Sequence, residues 1–312
     1  MCDLVNNELV IMKELFSDQL QLAKSPLVTV VMPVYNAGNY LRMAVLSIVR
    51  QTFTNWELLI IDDGSTDGAL QDIADIDDMR IRIFRDGVNR GLAFRLNEGI
   101  DMAQGQYFAR MDGDDVSYPE RFARQIALLQ NDSGLDLVAT RLITIDESDQ
   151  VTGLFPFAIF HEDICARPWR GFYFPHATWM GRIEWFRKYR YTLPSPFLCE
   201  DQELLLRSYR DSRFVTLDEI LYAYHWKSKV DWQKLARTRH AVFIFQLQFF
   251  ARLNQWHFVL LATASFIAKI ICDLSKKNNG SKFRPGCDGL DDAVISEWHK
   301  VFDGLTNKPK TL

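Results

Sequence analysis

Between residues 26 and about 130 the apolar positions fall into short blocks whose period switches between two and about 3.6. "LVTVVM" (27–32) is brief, apolar and β-branched, and "WELLIID" (56–62) repeats that character. "RIRIF" (80–84) alternates with period two, and "QYFARM" (106–111) is a further strand-like run. Between them "YLRMAVLSIVRQ" (40–51) and "GLAFRLNEGIDMAQ" (91–104) carry helical spacing. Residues 115–130 read as another helix, with Pro119 near its start, where a proline fits. Strands alternating with helices over short connections predict an α/β fold with a mostly parallel, Rossmann-like sheet covered by helices on both faces. Ligands of such sheets bind beyond the carboxyl ends of the strands. The polar segments "PVYNAG", "DDGSTDG" and "DGDD" all fall at those ends.

From about residue 151 the pattern loosens into "GLFPFAIF", "FYFPHATWMG" and "RFVTLDEILYAYHW", with one helix predicted over "CEDQELLLRSYR" (199–210). This predicts a second, acceptor-side half (131–225) joined to a nucleotide-side half (26–130), after an N-terminal extension (1–25). The tail, 226–312, is predicted to be a helical extension. It opens with a basic stretch (227–239), followed by "HAVFIFQLQFFARL" (240–253) and "WHFVLLATASFIAKIIC" (256–272). The first run is too short to cross a bilayer. The second falls just under the usual span of about 20 residues and contains Lys269. Apolar aromatic helices beside basic residues predict contact with an anionic membrane surface. The alternatives are packing on the domain, a dimer interface, or spanning.

Composition narrows the function classes. Of 312 residues 48% are hydrophobic and 24% charged, which suits a packed core and excludes wholesale disorder. The net charge of −4 gives no nucleic-acid footprint. Five scattered cysteines without a CxxC pair argue against a disulfide framework and a zinc site, and suit a reducing cytosol. The N-terminal stretch lacks the basic start and apolar run of a signal peptide.

The candidate chemistry is acidic. Asp112, Asp114 and Asp115 stand within four positions after an apolar run. Crowded carboxylates resist ionisation unless a cation or donors answer them. They are either a solvated turn or a site for Mg²⁺ or Mn²⁺, which prefer oxygen ligands. Asp62 and Asp63 precede Gly64 at a strand end, where a carboxylate can accept from a base or ribose, or the segment can simply be a capped turn. Glu200 and Asp201 open a predicted helix, either as partners of its dipole or as a general base. Arg90 and Arg95 can face phosphate or solvent, and His176 lies among aromatics.

Taken in order, "VTVVMPVYNAGNYL", "WELLIIDDGSTDG", "NRGLAFRLNEGI", "GQYFARMDGDDVSYPERFARQ" and "CEDQELLLR" resemble the family 2 glycosyltransferases of GT-A fold, over roughly residues 26–225. The resemblance implies that Pro33 and Tyr35 hold the nucleotide base and that Asp63 reads a uracil-type base. It places Arg90 on the phosphate side. It makes Asp112, Gly113 and Asp114 the Asp-x-Asp motif, with Asp114 as direct ligand of Mn²⁺ or Mg²⁺, Asp112 nearer the ribose, and Asp115 either assisting or only orienting its neighbours. It gives Asp201 the role of catalytic base beside Glu200, and puts His176 and Trp179 on the donor-sugar and acceptor side. The implied reaction is a single inverting displacement from a nucleotide-sugar, by default a UDP-sugar. The absence of a Gln-x-x-Arg-Trp motif implies single addition. Family habit adds surface-polysaccharide assembly (O-antigen, capsule or exopolysaccharide), with a lipid-linked saccharide acceptor at the cytoplasmic face of the inner membrane. Two other readings are a sugar-1-phosphate nucleotidyltransferase, whose Gly-rich basic signature is missing, and a catalytically silent scaffold, which would have lost these carboxylates.

Overall fold

The computed structural model describes residues 26–196, 198–226, 230–278 and 290–306, so the extension over 1–25 and the start of the basic stretch (227–229) lie outside the described residues. In chain order the first half contains β1 (Val28–Val34), α1 (Tyr40–Val49), β2 (Trp56–Asp62), β3 (Ile81–Arg85), α2 (Leu92–Met102), β4 (Tyr107–Arg110), β5 (Val116–Ser117) and α3 (Arg121–Asn131). There follow β6 (Leu137–Ile145), β7 (Val151–Leu154), α4 (His161–Ile164), β8 (Met180–Arg182), α5 (Ile183–Lys188), α6 (Glu200–Ser208) and β9 (Phe214–His225). The tail forms α7 (Trp232–Arg252), α8 (Trp256–Asn278) and α9 (Asp292–Thr306).

The described strands form one sheet in the order β3-β2-β1-β4-β8-β6-β9-β5, with β7 branching from β6. β3, β2, β1 and β4 are parallel throughout. β1 and β2 are buried almost end to end, as expected of parallel strands covered on both faces. One face packs against α1 and α3 through residues such as Leu41, Val45, Ile48, Phe122 and Ile126. The other takes Ala93, Leu96 and Ile100 of α2 together with the aromatics of α5 and the leucines of α6. Gly99 lets α2 close on the sheet, since a Cβ there would lie 2.4 Å from Val31 Cγ1.

The predicted α/β architecture is the observed one, with two differences. Beyond β4 the sheet is mixed, because β8 runs antiparallel to both β4 and β6. Residues 115–120 are not helical. Val116 and Ser117 pair with Ala223 and Tyr222 of β9, and Pro119 keeps the residue before it out of the helical region, so α3 begins at Arg121.

In the tail, α7 buries Phe250 in the same cluster as α6, and its Gln246 donates to the Pro168 carbonyl at 2.9 Å. α8 is longer than the apolar run read from the sequence. Its 23 residues make it the one described helix long and apolar enough to cross a membrane. α9 docks Trp298, fully buried, beside Tyr118, with its indole N–H on the Asp149 carbonyl at 2.8 Å.

Candidate active site

Three loops meet at the carboxyl ends of β1, β2 and β4. The first two are braced to each other. The Asn36 N–H donates to Ser65 Oγ (3.0 Å), the Thr66 N–H to Asn36 Oδ1 (2.9 Å), and the Gly38 N–H to Asp67 Oδ2 (2.7 Å). Pro33 ends partly buried in β1, and Tyr35 projects beyond it, 55% exposed. Asp62 accepts the Ser65 N–H at 3.0 Å. Asp63 is buried and accepts three donors: the backbone N–H of Arg90 (2.7 Å), that of Gly91 (3.0 Å), and Arg95 Nε (2.9 Å). It thereby ties the 86–91 loop to the end of β2. Gly64 makes this closeness possible, with φ +78° and no more than 3.1 Å between a would-be Cβ and the backbone of Val88 and Asn89.

The two arginines differ. Arg90 is on the rim, with Nε 3.2 Å from Asp86 and its guanidinium over the Phe94 ring. Arg95 faces neither phosphate nor solvent, contrary to both sequence readings. It is fully buried and pairs with Asp63, Asp86 and Glu98, holding the Asp86 carboxyl well below the usual range. A buried cation needs such partners, and here they outnumber it.

The acidic cluster lies at the end of β4. Asp112 is held by Arg110 in a two-point pair (2.7 and 3.1 Å), and its N–H donates to the Tyr222 hydroxyl at 3.3 Å. Gly113 lets the turn lie on β1, since a Cβ there would come within 3.0 Å of Val34. Asp115 is buried. Its Oδ1 accepts the His225 N–H at 2.9 Å, while its Oδ2 is enclosed with no hydrogen-bond donor. Burial, then Asp114 and Asp112, pushes the Asp115 carboxyl well above the ordinary carboxylate range. One oxygen from each of Asp112, Asp114 and Asp115 lies within 4.8 Å of the others. A carboxylate oxygen enclosed without a donor beside two further carboxylates suits a hard divalent cation, which takes oxygen ligands and offsets the repulsion.

The second acidic pair opens α6. Gln202 pins Asp201, donating from Nε2 to Oδ2 at 3.0 Å, and is itself fixed by the Phe172 backbone N–H at 2.8 Å. Glu200 is 9% exposed, and burial followed by the neighbouring Asp201 raises its carboxyl to about 7. Burial also raises Asp201. Arg110 opposes the rise in both, so one buried guanidinium stands electrostatically between the two acidic groups. His176 Nε2 lies 2.8 Å from the Tyr191 hydroxyl. Burial, with Arg110 second, pushes its imidazole well below its ordinary value, so the ring is neutral. Trp179, expected on the sugar side, is fully buried instead. It supports the His176 ring edge-on at 4.5 Å and donates to the Phe174 carbonyl.

The sequence reading missed Arg110, Gln202, Tyr191 and Tyr222. Arg110 had a signal, since a cation stands two residues before Asp112 in the same motif, close enough to answer its charge. The tyrosines had none, because pairing of distant segments brings them in.

The sequence profile of glycosyl transferase family 2 matches residues 29–190, just over half of the chain. EpsE of Bacillus subtilis (strain 168), whose name marks it as a candidate glycosyltransferase, is 35% identical over 205 residues, covering 63% of this chain and 72% of EpsE. The glycosyltransferase GlyG of Streptococcus pneumoniae serotype 4 is 35% identical over 143 residues, where the chain spans under half of that relative (46%). Among solved structures, S. aureus TarS (residues 1–349) superposes with a TM-score of 0.55 at 17% identity, over 70% of this chain and 65% of that one. The mannosyltransferase PcManGT from Pyrobaculum calidifontis, in complex with GDP-Man and Mn²⁺, gives 0.51 at 16% identity, over 90% and 85%. Fold, motif order and family match agree: the chain belongs to the family 2 glycosyltransferases and has a GT-A-like core.

Proposed function

We propose that the protein is an inverting, metal-dependent, single-addition glycosyltransferase moving a sugar from a UDP-sugar to a hydroxyl of a lipid-linked saccharide. The observation that carries this reading is the meeting of Asp112, Asp114 and Asp115 at one strand end, with Arg110 linking them electrostatically to Glu200 and Asp201. The fold relatives add support on the donor side. TarS has been solved with UDP and with UDP-GlcNAc, and PcManGT with GDP-Man.

In this reading Pro33, Tyr35 and Asp63 form the base side, and Arg90 on the rim is the phosphate-side cation. Asp114 and Asp112, with Asp115 behind them, would hold Mn²⁺ or Mg²⁺. Such an ion, when bound, neutralises charge on a departing diphosphate. Arg110 keeps Asp112 oriented. Asp201, aimed by Gln202, removes the proton from the acceptor hydroxyl, and Glu200 tunes its proton affinity. The neutral His176 borders the sugar as a hydrogen-bonding group without charge. Attack and departure on opposite faces invert the anomeric centre, so an α-linked donor gives a β-linked product. Surface-polysaccharide assembly is the setting that lipid-linked acceptors suggest.

The test separates binding from chemistry. Asp201→Asn is expected to bind UDP with Mn²⁺ as the parent does while losing sugar transfer to acceptor, followed as UDP release. Full transfer by Asp201→Asn would remove Asp201 from the role of base.

A further inference from the structure

α8 packs through one face and leaves the other uncovered among the described residues. Ala262 and Asp273 are buried against α7, where Asp273 pairs with Arg239 at 2.9 Å and Phe266 stacks on Phe243 at 4.4 Å. Phe258 packs against Phe250 and Trp169, which seats the hairpin on the domain. Opposite lie Trp256, Leu260, Ile267, Ile271 and Leu274, each between 52% and 71% exposed. At 3.6 residues per turn these five fall within about 60° of one another and run for about 27 Å. A continuous apolar strip of that length on one helix is not ordinary solvated surface.

The charge of the hairpin is predominantly of one sign. Over 232–278 seven lysines and arginines stand against one acid, Asp273, in a chain whose net charge is −4. Arg252 ends α7, and Lys276 and Lys277 end α8. An apolar strip on a locally basic helical hairpin is complementary to a lipid surface carrying negative headgroups, and not to a second acidic protein or to water. Spanning fits poorly, because insertion across a bilayer would strip α8 of the Arg239–Asp273 pair and of the aromatic stack that holds it to α7.

We propose that the exposed strip of α8 docks the protein on an anionic bilayer, with the helix lying in the plane of the interface. The helix that begins with Glu200 and Asp201 packs directly on α7, so docking brings the acceptor side of the domain towards the lipid. The docking surface does not depend on the transferase reading, and each can fail without the other.

Vesicle flotation tests it, using phosphatidylcholine alone and phosphatidylcholine mixed with phosphatidylglycerol. The intact chain should float with the mixed vesicles, float less as salt rises, and remain behind with phosphatidylcholine alone. Leu260→Glu combined with Ile271→Glu should reduce flotation by at least about tenfold. Both residues are exposed, so its melting temperature and its shift with UDP and Mn²⁺ should match the parent's. Three results would overturn the proposal. One is equal flotation of parent and variant. Another is no flotation of the parent, with the variant dissociating a dimer, or with flotation gained only on removing residues 1–25; either would assign the strip to protein. The third is retention in membranes through alkaline carbonate washing, the behaviour of a spanning helix.

Discussion

Replacing Glu200 by Gln should make the protein more stable and less active, and the stability gain should depend on pH in a defined direction. Glu200 is buried at the start of α6, and its carboxyl is raised from an ordinary 4.5 to about 7 by burial and by Asp201. The native state therefore holds this proton more tightly than the unfolded chain. Between those two values the native state binds more protons, so stability is present at low pH and is lost as pH rises towards 7. Each tenfold in proton affinity corresponds to about 1.36 kcal/mol, so the full loss is about 3 kcal/mol. Glutamine keeps the shape and cannot ionise. Urea unfolding followed by tryptophan fluorescence, at a series of pH values from about 4 to about 8, measures the difference. The advantage of Glu200→Gln over the parent should grow by about 3 kcal/mol across that range. A constant difference would mean that Glu200 titrates normally and that the buried pair has been misread. In the proposed mechanism the pair must surrender a proton before Asp201 can accept one, so the parent's transfer rate should climb over the same interval.

Other outcomes follow from named contacts. Arg95→Met should destabilise the fold by about 3–5 kcal/mol, because it leaves Asp63 buried beside Asp86 without their shared cation; a loss under about 1 kcal/mol in urea unfolding would contradict that pairing. Gln202→Ala should lower kcat while leaving UDP affinity unchanged, since it frees Asp201 to turn without touching the nucleotide loops; a change confined to UDP affinity would count against this. Trp298→Ala should cost about 3–5 kcal/mol in the same unfolding assay, as the loss of a fully buried indole, and show that α9 belongs to the domain; a loss near zero would detach it.

The parallel half of the fold was legible because its strands and helices carry strong, opposed periodicities, and because its polar loops fall at the strand ends. The mixed half was not. β8 is three residues long and β5 two, and strands that short exist only through their partners. The aspartates around Gly113 announced themselves by crowding. What the sequence concealed was the answer to their charge. Arg110 sat inside the same motif unremarked, and Tyr222 is 110 residues from Asp112 along the chain. Trp179 shows the converse: the resemblance puts it on the sugar side with His176, the structure buries it behind that ring, and local sequence carries no record of burial. The length of α8 was underestimated because its polar final turns continue a helix that its apolar run alone would have ended at residue 272.

The proposed role of the three aspartates is to hold a cation that completes nucleotide-sugar binding. Calorimetric titration of UDP into the parent and into Asp114→Ala, each with and without Mn²⁺, tests it most directly. Tight binding is expected for the parent only when Mn²⁺ is present, with little metal dependence for Asp114→Ala at unchanged melting temperature. UDP binding by the parent that is indifferent to Mn²⁺, or a variant that keeps the full metal effect, would contradict it.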